Sequence, residues 1–167
     1  MTNVLTLRLD PASQAHFENL RQQHFPPERN VIAAHVTLFH TLPHATSIDQ
    51  VLHRLTADRP CFPVEVTGVR SLGKGVAYRL ASAPLLSLHA ELAHTFVDDL
   101  SPQDRQRFQP HVVVQNKVAP AAARDLLSRL ESTFTPWTVQ ARGLDLWHYL
   151  GGPWKHARTF PFSASIA

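Results

Sequence analysis

Two similar stretches, 76 residues apart, constrain the fold of this chain more than any other feature. Residues 35–38 read His-Val-Thr-Leu and residues 111–114 read His-Val-Val-Val, so each places a histidine at the head of an apolar, β-branched run. Runs of this kind predict β-strands. The repeated histidine indicates two halves of related structure that each bring one proton-transfer group to a shared groove.

Short matches elsewhere in the chain support the repeat. The matching dipeptides, 71 and 75 residues apart, are Arg8-Leu9 with Arg79-Leu80 and Gly68-Val69 with Gly143-Leu144. A length of 167 residues fits one domain with a real core. We therefore predict a single bilobal domain over residues 1–167, made of pseudo-repeats at about 1–74 and 75–167. Each repeat is a βαβαβ-like unit, and a pseudo-two-fold axis relates the two.

Local signals place the elements along the chain. Asp10 and Pro11 are typical of a helix start, and Gly73-Lys74-Gly75 is typical of a hairpin. Strands are predicted at 4–9, 34–40, 62–71, 75–81, 111–117, 136–148 and 157–163. Helices are predicted at 12–23, 48–57 and 121–131, and from Pro84 along an apolar stripe that ends at Leu100.

Composition limits the class of protein. Hydrophobic residues make up 44% of the chain, and a lone Cys61 cannot form an internal disulfide. No apolar stretch approaches the ~20 residues of a membrane span, and no signal peptide is evident at the start. The formal charge of +3 comes without a basic tail or block, which argues against a broad footprint on duplex DNA. We expect a cytoplasmic monomer that binds a small anionic ligand or a nucleic-acid end and contacts no membrane.

Strand alternation places the candidate site residues on common faces. His35, Thr37 and Phe39 lie on one face of the first strand, while Val36 and Leu38 are buried on the other. By the same rule His111, Val113, Gln115 and Lys117 share a face of the second strand. One neutral and one protonated imidazole can together open a cyclic phosphodiester, with the Thr37 hydroxyl donating to a phosphate oxygen. This chemistry requires no metal and no cofactor.

At this point the sequence resembles a known family. Its two histidine tetrads, the Phe108-Gln109-Pro110-His111 run and residues 146–154 are similar to the two-histidine (2H) phosphoesterase superfamily, in its bacterial 2′-5′ RNA ligase-like branch. The resemblance implies a bilobal α+β fold with two antiparallel sheets around a central cleft. It also implies metal-independent cyclic phosphodiesterase or 2′-5′ phosphodiester chemistry on RNA ends or nucleotides. His35 and His111 then become the acid–base pair, with their individual roles open, and Thr37 becomes a phosphate donor.

The second tetrad departs from the family pattern. Val113 stands where the family has Thr or Ser, and the loss of one such donor costs ~2–4 kcal/mol of transition-state stabilisation. Either Gln115 or Lys117 supplies the missing contact, or the chain is a weakened member that binds a nucleotide or RNA end without efficient turnover. We favour the first interpretation, because both histidines are present.

Other side chains have competing interpretations. Tyr149, like Phe39, either stacks on a base or packs at the cleft wall. Trp147 and Trp154 are assigned to the core, and His89 to the solvent. A metal site of His35, His40 and His44 is a third alternative, which His40 disfavours because it falls on the opposite strand face. The recurrence of Arg8 and Arg79 indicates either a shared role or strand-edge solvation.

Overall fold

The computed structural model describes residues 2–43 and 46–163, with the side chain of Thr46 left out. The strands are β1 (Thr2–Leu9), β2 (Val36–Leu42), β3 (Phe62–Ser71), β4 (Val76–Ala81), β5 (His111–Gln115), β6 (Trp137–Tyr149) and β7 (Lys155–Pro161). The helices are α1 (Pro11–His24), α2 (Thr46–Ala57), α3 (Ala83–Thr95) and α4 (Pro120–Thr133). The predicted order of elements is confirmed.

Helix starts follow the predicted capping signals. The Asp10 carboxylate accepts a hydrogen bond from the Ser13 backbone N–H at 3.1 Å, and Pro11 occupies the first turn of α1. Pro84 lies in the first turn of α3, as predicted, and Ser82, which was not predicted as a cap, caps this helix by accepting from the Leu85 backbone N–H at 3.2 Å. The far end of α3 differs from the prediction, because the helix ends at Thr95 and Leu100 lies beyond it.

One continuous antiparallel sheet of seven strands forms the frame, rather than the two sheets expected from the sequence. The strand order is β2-β1-β6-β3-β4-β5, and β7 also pairs with β6. A single sheet is possible because β6 is 13 residues long: its first part pairs with β3, and its second part lies between β1 and β7. The sheet curls into a half-barrel, so β2 and β5 contact each other although they are the two ends of the strand order.

The same pairing register occurs in both halves. Arg8 pairs with Gly143 and Thr6 pairs with Thr37; in the second half Arg79 pairs with Gly68 and Ala77 pairs with Val113. Each of these residues is 71, 75 or 76 residues from its counterpart in the other half, which are the offsets read from the sequence. Val64 of β3 pairs with Val139 of β6, its own counterpart, so the pseudo-two-fold axis passes between them. The α+β fold class with pseudo-symmetric lobes is confirmed, while the repeat boundaries at 1–74 and 75–167 stay a prediction.

A buried apolar core joins the two halves. Leu5, Val36, Leu85 and Val112, which come from both halves, are fully buried in one cluster. Burying side chains of this size contributes about 1.5–3 kcal/mol each, which fixes the faces of β2 and β5. No helix in the described part of the chain is long and apolar enough to cross a membrane.

Candidate active site

The two tetrad histidines are held in the same way. His35 lies immediately before β2 rather than within it, and its Nδ1 is 2.7 Å from the carbonyl oxygen of Ala33. His111 begins β5, and its Nδ1 is 2.8 Å from the carbonyl oxygen of Gln109. A carbonyl only accepts, so Nδ1 carries the hydrogen in both rings. Nε2 is then left as the proton acceptor of each neutral imidazole.

The surroundings disfavour the protonated form of both imidazoles. Burial lowers the pKa of His35 to about 4, against the hydrogen bond to Ala33. The Arg21 guanidinium and the protonated forms of His111 and His40 add to this lowering. Burial also lowers the pKa of His111, helped by the charges of Arg70 and His40. The site is therefore electropositive. His111 affects the pKa of His35, and His40 affects the pKa of both.

Two cavities hold the candidate site residues. His35 lines a cavity of about 800 Å³, whereas Thr37 and His111 line a second one of about 280 Å³. Thr37 is partly exposed to this second cavity, as the sequence predicted. The protonated form of His111 lowers the pKa of His35, and Thr37 lies two residues after His35, so the two histidines and one hydroxyl donor lie in the same region at the start of β2. One imidazole can accept a proton there and the other, once protonated, can donate one.

A β-bulge in each half moves two predicted site residues into the core. Thr37 pairs with Thr6 but Phe39 pairs with Leu5, so β2 carries an extra residue at Leu38. The side-chain alternation shifts by one, and Phe39 is 0% exposed. The expectation that Phe39 shares the cleft face with Thr37 is therefore wrong. The bulge also reverses His40, which lines the smaller cavity with Thr37 instead of the opposite face.

The same bulge recurs in β5. Val113 pairs with Ala77 but Gln115 pairs with Val76, so Val114 is the extra residue. Gln115 is 7% exposed, and its Oε1 has no hydrogen-bond partner within the described residues. The placement of Gln115 on the face of Val113 is corrected for the same reason as that of Phe39.

The last two predicted site residues lie at the end of a strand or beyond it. β5 stops at Gln115, and Lys117 follows in a turn with a φ of 62°, so Lys117 does not extend the strand face of His111. Tyr149 ends β6 and is 42% exposed. Neither Lys117 nor Tyr149 is among the residues that line the two cavities described above.

Two tryptophans assigned to the core line the larger cavity instead. The Trp154 ring lies 4.7 Å from the His35 ring, between centroids, and Trp147 lies 6.3 Å from Trp154. The Trp147 indole donates to the Thr6 hydroxyl at 2.9 Å, which orients its ring. The larger cavity therefore offers aromatic surface beside His35.

The strand that carries or follows each tetrad histidine is hydrogen-bonded to a helix of the other half. Arg21 of α1 is 3% exposed and donates to the Val113 carbonyl oxygen at 2.9 Å. His89 of α3 contacts the Leu38 carbonyl oxygen through Nε2 at 3.1 Å. The His89 ring is stacked between two phenylalanine rings, and burial lowers its pKa, so it is a structural group and not a solvated one. These cross-connections hold β2 and β5 together.

Arg21 was not predicted as a site residue, although its position in the sequence of α1 gives an indication of its role. Arg21 lies one helical turn after the buried Phe17, so a guanidinium falls on the apolar face of α1. No carboxylate lies within ion-pair distance of Arg21 in the described part of the chain. A buried cation of this kind favours an anion nearby.

His40 is fixed by a buried carboxylate. Asp104 accepts from the backbone N–H groups of His40 and Thr41 at 2.8 and 2.9 Å, and lies 3.2 Å from His40 Nδ1. His44, the third member of the alternative metal site, lies outside the described residues. Within residues 2–43 and 46–163, no group of three or more His, Cys, Asp or Glu side chains is arranged to hold a metal ion.

Solved structures of other proteins share the fold of this chain. TT0787 of Thermus thermophilus has a similar structure, with 15% identity, a TM-score of 0.68, and coverage of 97% of this chain and 98% of that one. E. coli LigT complexed with 3′-AMP is similar at 17% identity and a TM-score of 0.63, with the same coverage. A structure described as a phosphoesterase is similar at 16% identity and a TM-score of 0.60, again with that coverage.

These similarities are matched by a family profile. No curated protein sequence matches the chain. The profile of the 2′-5′ RNA ligase superfamily, however, matches residues 9–153, which include both histidine tetrads. The chain therefore belongs to the 2′-5′ RNA ligase superfamily.

Proposed function

We propose that this protein is a metal-independent phosphodiesterase that acts on a 2′,3′-cyclic phosphate or a 2′-5′ phosphodiester at RNA or nucleotide ends. The observation that carries the proposal is the matched pair His35 and His111. Each has its Nδ1 hydrogen bonded to a carbonyl two residues earlier, which leaves Nε2 for catalysis. Membership of the superfamily and the electropositive setting of both rings support it.

In this proposal the two histidines have different roles. His35 starts neutral, because burial keeps its pKa at about 4, and takes a proton from the attacking water. The new bond forms between the water oxygen and phosphorus, and the bond from phosphorus to the leaving ribose oxygen breaks. His111 starts protonated once the anionic phosphate is bound, and gives its Nε2 proton to that oxygen. Thr37 donates its hydroxyl to a non-bridging oxygen.

The ligand class follows from the charge and the aromatic surface. LigT structures are described in complex with 3′-AMP, NADP+ and ATP. By analogy, we infer that this cleft takes the terminal nucleotide of its substrate, with Trp154 and Trp147 close to the base. A cytoplasmic monomer that binds no duplex DNA stays a prediction.

Assays with a chelator present test the acid–base pair. Wild type, His35→Ala and His111→Ala are compared on 2′,3′-cyclic AMP, and each substitution is expected to lower kcat at least 10²-fold. Activity that survives both substitutions, or that disappears with chelator alone, would refute the proposal.

A substrate with a good leaving group separates the two roles. A phosphodiester of p-nitrophenol needs no proton on its departing oxygen. His111→Ala is therefore expected to lose much less activity on that diester than on 2′,3′-cyclic AMP, whereas His35→Ala is equally impaired on both. The opposite pattern would exchange the roles of the two histidines.

The alternative is a binding module that uses the same cleft without efficient turnover. Val113 favours it, because a valine cannot donate to the phosphate. Tight binding of 3′-AMP together with no turnover, in both the wild type and Val113→Thr, would support the module over the enzyme.

A further inference from the structure

A groove beside the smaller cavity carries an unbalanced positive charge. Its volume is about 440 Å³, and Arg70, Arg79 and Arg107 line it without any carboxylate among the lining residues. In the described part of the chain, none of these arginines is within ion-pair distance of an acidic side chain. We call this surface the arginine groove.

The arginine groove is continuous with the cavity of His111. Four residues line both: Arg70, Arg107, Phe108 and Gln109. Arg70 donates to the Gln109 side chain at 3.2 Å, and its charge contributes to the low pKa of His111. A chain of phosphates that starts at His111 can therefore continue directly into the arginine groove.

The first half carries a different set of charges at the positions equivalent to the arginine groove. Arg8 and Arg79 are equivalent, because they pair with Gly143 and Gly68, which are themselves equivalent. Two residues beyond these glycines lie Asp145 in one half and Arg70 in the other.

Because Asp145 and Arg70 have opposite charges, the net charge around these equivalent positions differs between the two halves. In the first half Arg8 donates to Asp145 at 3.1 Å, and Asp145 also contacts His156 at 3.0 Å, so the charge is balanced. In the second half the equivalent positions hold two cations. Like charges at neighbouring positions of a sheet repel each other, and a bound anion relieves that repulsion.

The start of α3 adds to the positive potential. Ser82 and Ala83, the cap and first residue of this 13-residue helix, line the arginine groove. The N-terminal end of a helix carries a partial positive charge, which favours phosphate groups nearby. The arginines and the helix dipole thus act on the same groove.

We propose that the arginine groove binds the phosphates of the nucleotides upstream of the reacting phosphate in a single-stranded RNA. The RNA strand then leaves the catalytic site across the second half of the molecule, and the charge-balanced first half holds the terminal nucleotide. This inference rests on the proposed function, and it makes an oligonucleotide end a better ligand than a mononucleotide.

Binding measurements test the groove without requiring turnover. A fluorescein-labelled hexaribonucleotide with a 3′-phosphate and the mononucleotide 3′-AMP are compared on wild type, Arg79→Gln and Arg107→Gln. Both variants change exposed side chains. Each is expected to weaken hexamer binding about three- to tenfold and to reduce the slope of log affinity against log salt by about 0.7. The loss for 3′-AMP is expected to be at least threefold smaller.

Arg124→Gln is the matched control, because it makes the same charge change on the exposed surface of α4. It should leave the binding of both ligands as in wild type. The inference is overturned if the hexamer binds wild type no more tightly than 3′-AMP does, or if Arg79→Gln and Arg107→Gln behave like the control. Turnover of 2′,3′-cyclic AMP is scored separately. Arginine-dependent hexamer binding without turnover would refute the proposed function and support the groove, whereas turnover with hexamer binding insensitive to the arginines would do the reverse.

Discussion

The protonation of His35 gives a stability prediction that can be measured without substrate. An unfolded histidine has a pKa of 6.5, while burial lowers that of folded His35 to about 4. Between these values the unfolded chain binds more protons than the folded one, so the free energy of unfolding rises with pH. The stability that neutral His35 contributes is therefore complete above pH 6.5 and is lost as the pH falls toward 4.

The size of the effect follows from the two pKa values. Each unit between them corresponds to about 1.4 kcal/mol. Relative to pH 7, protonation linked to His35 should remove about 2 kcal/mol of stability by pH 5 and about 3 kcal/mol by pH 4. A loss of this size is a large part of the 5–15 kcal/mol that is usual for a domain.

His35→Asn isolates this contribution from those of the other histidines. The asparagine amide can still donate to the Ala33 carbonyl oxygen but does not titrate. Urea unfolding followed by circular dichroism from pH 7 to pH 4 should show a shallower pH dependence for His35→Asn than for wild type. His53→Asn, on the exposed surface of α2, is the control. Equal pH dependence in wild type and His35→Asn would refute a buried, neutral His35 and remove the basis for its role as the base.

Three further substitutions test the remaining contacts. Arg21→Gln should lower the free energy of unfolding by about 2 kcal/mol and raise the pKa of His35 in an NMR titration, whereas Arg21→Lys should keep that pKa low. Val113→Thr should raise kcat on 2′,3′-cyclic AMP about 10²-fold, and an unchanged kcat would mean that no donor is missing. Gln115→Met should raise the free energy of unfolding by about 1 kcal/mol in urea, because it removes a buried oxygen without a partner among the described residues; a decrease would contradict this.

Local sequence signals predicted most of the strands and helices. Apolar, β-branched runs located β2 and β5, and Asp10 and Pro84 marked the starts of α1 and α3. The offsets between the halves, read from dipeptides, reappear in the pairing registers. The strands and helices could be predicted because each depends on residues that are neighbours along the chain, and the offsets because both halves repeat the same short motifs.

The cleft faces were harder to predict, because they depend on pairing between strands. A bulge is a difference in residue number between two paired strands, so residues 36–42 alone do not indicate the bulge at Leu38. One such mismatch buried Phe39 and turned His40 toward the cavity. Likewise, Trp154 and Arg21 reach the site from the residue before β7 and from α1, outside the tetrads in sequence.

A repeated backbone with different side chains accounts for both the pairing and the asymmetry of the site. The register and the bulges are common to the two halves, so His35 and His111 receive the same carbonyl contact. The side chains around them differ: Thr37 is matched by Val113, and Asp145 by Arg70. An acid–base pair requires two groups of equal reach but opposite protonation. Symmetric strands supply the equal reach, and the stronger burial of His35 supplies the difference in proton affinity. Because the Arg70 charge lowers the pKa of His111, a reversal of charge at position 70 should raise that pKa and strengthen His111 as the acid.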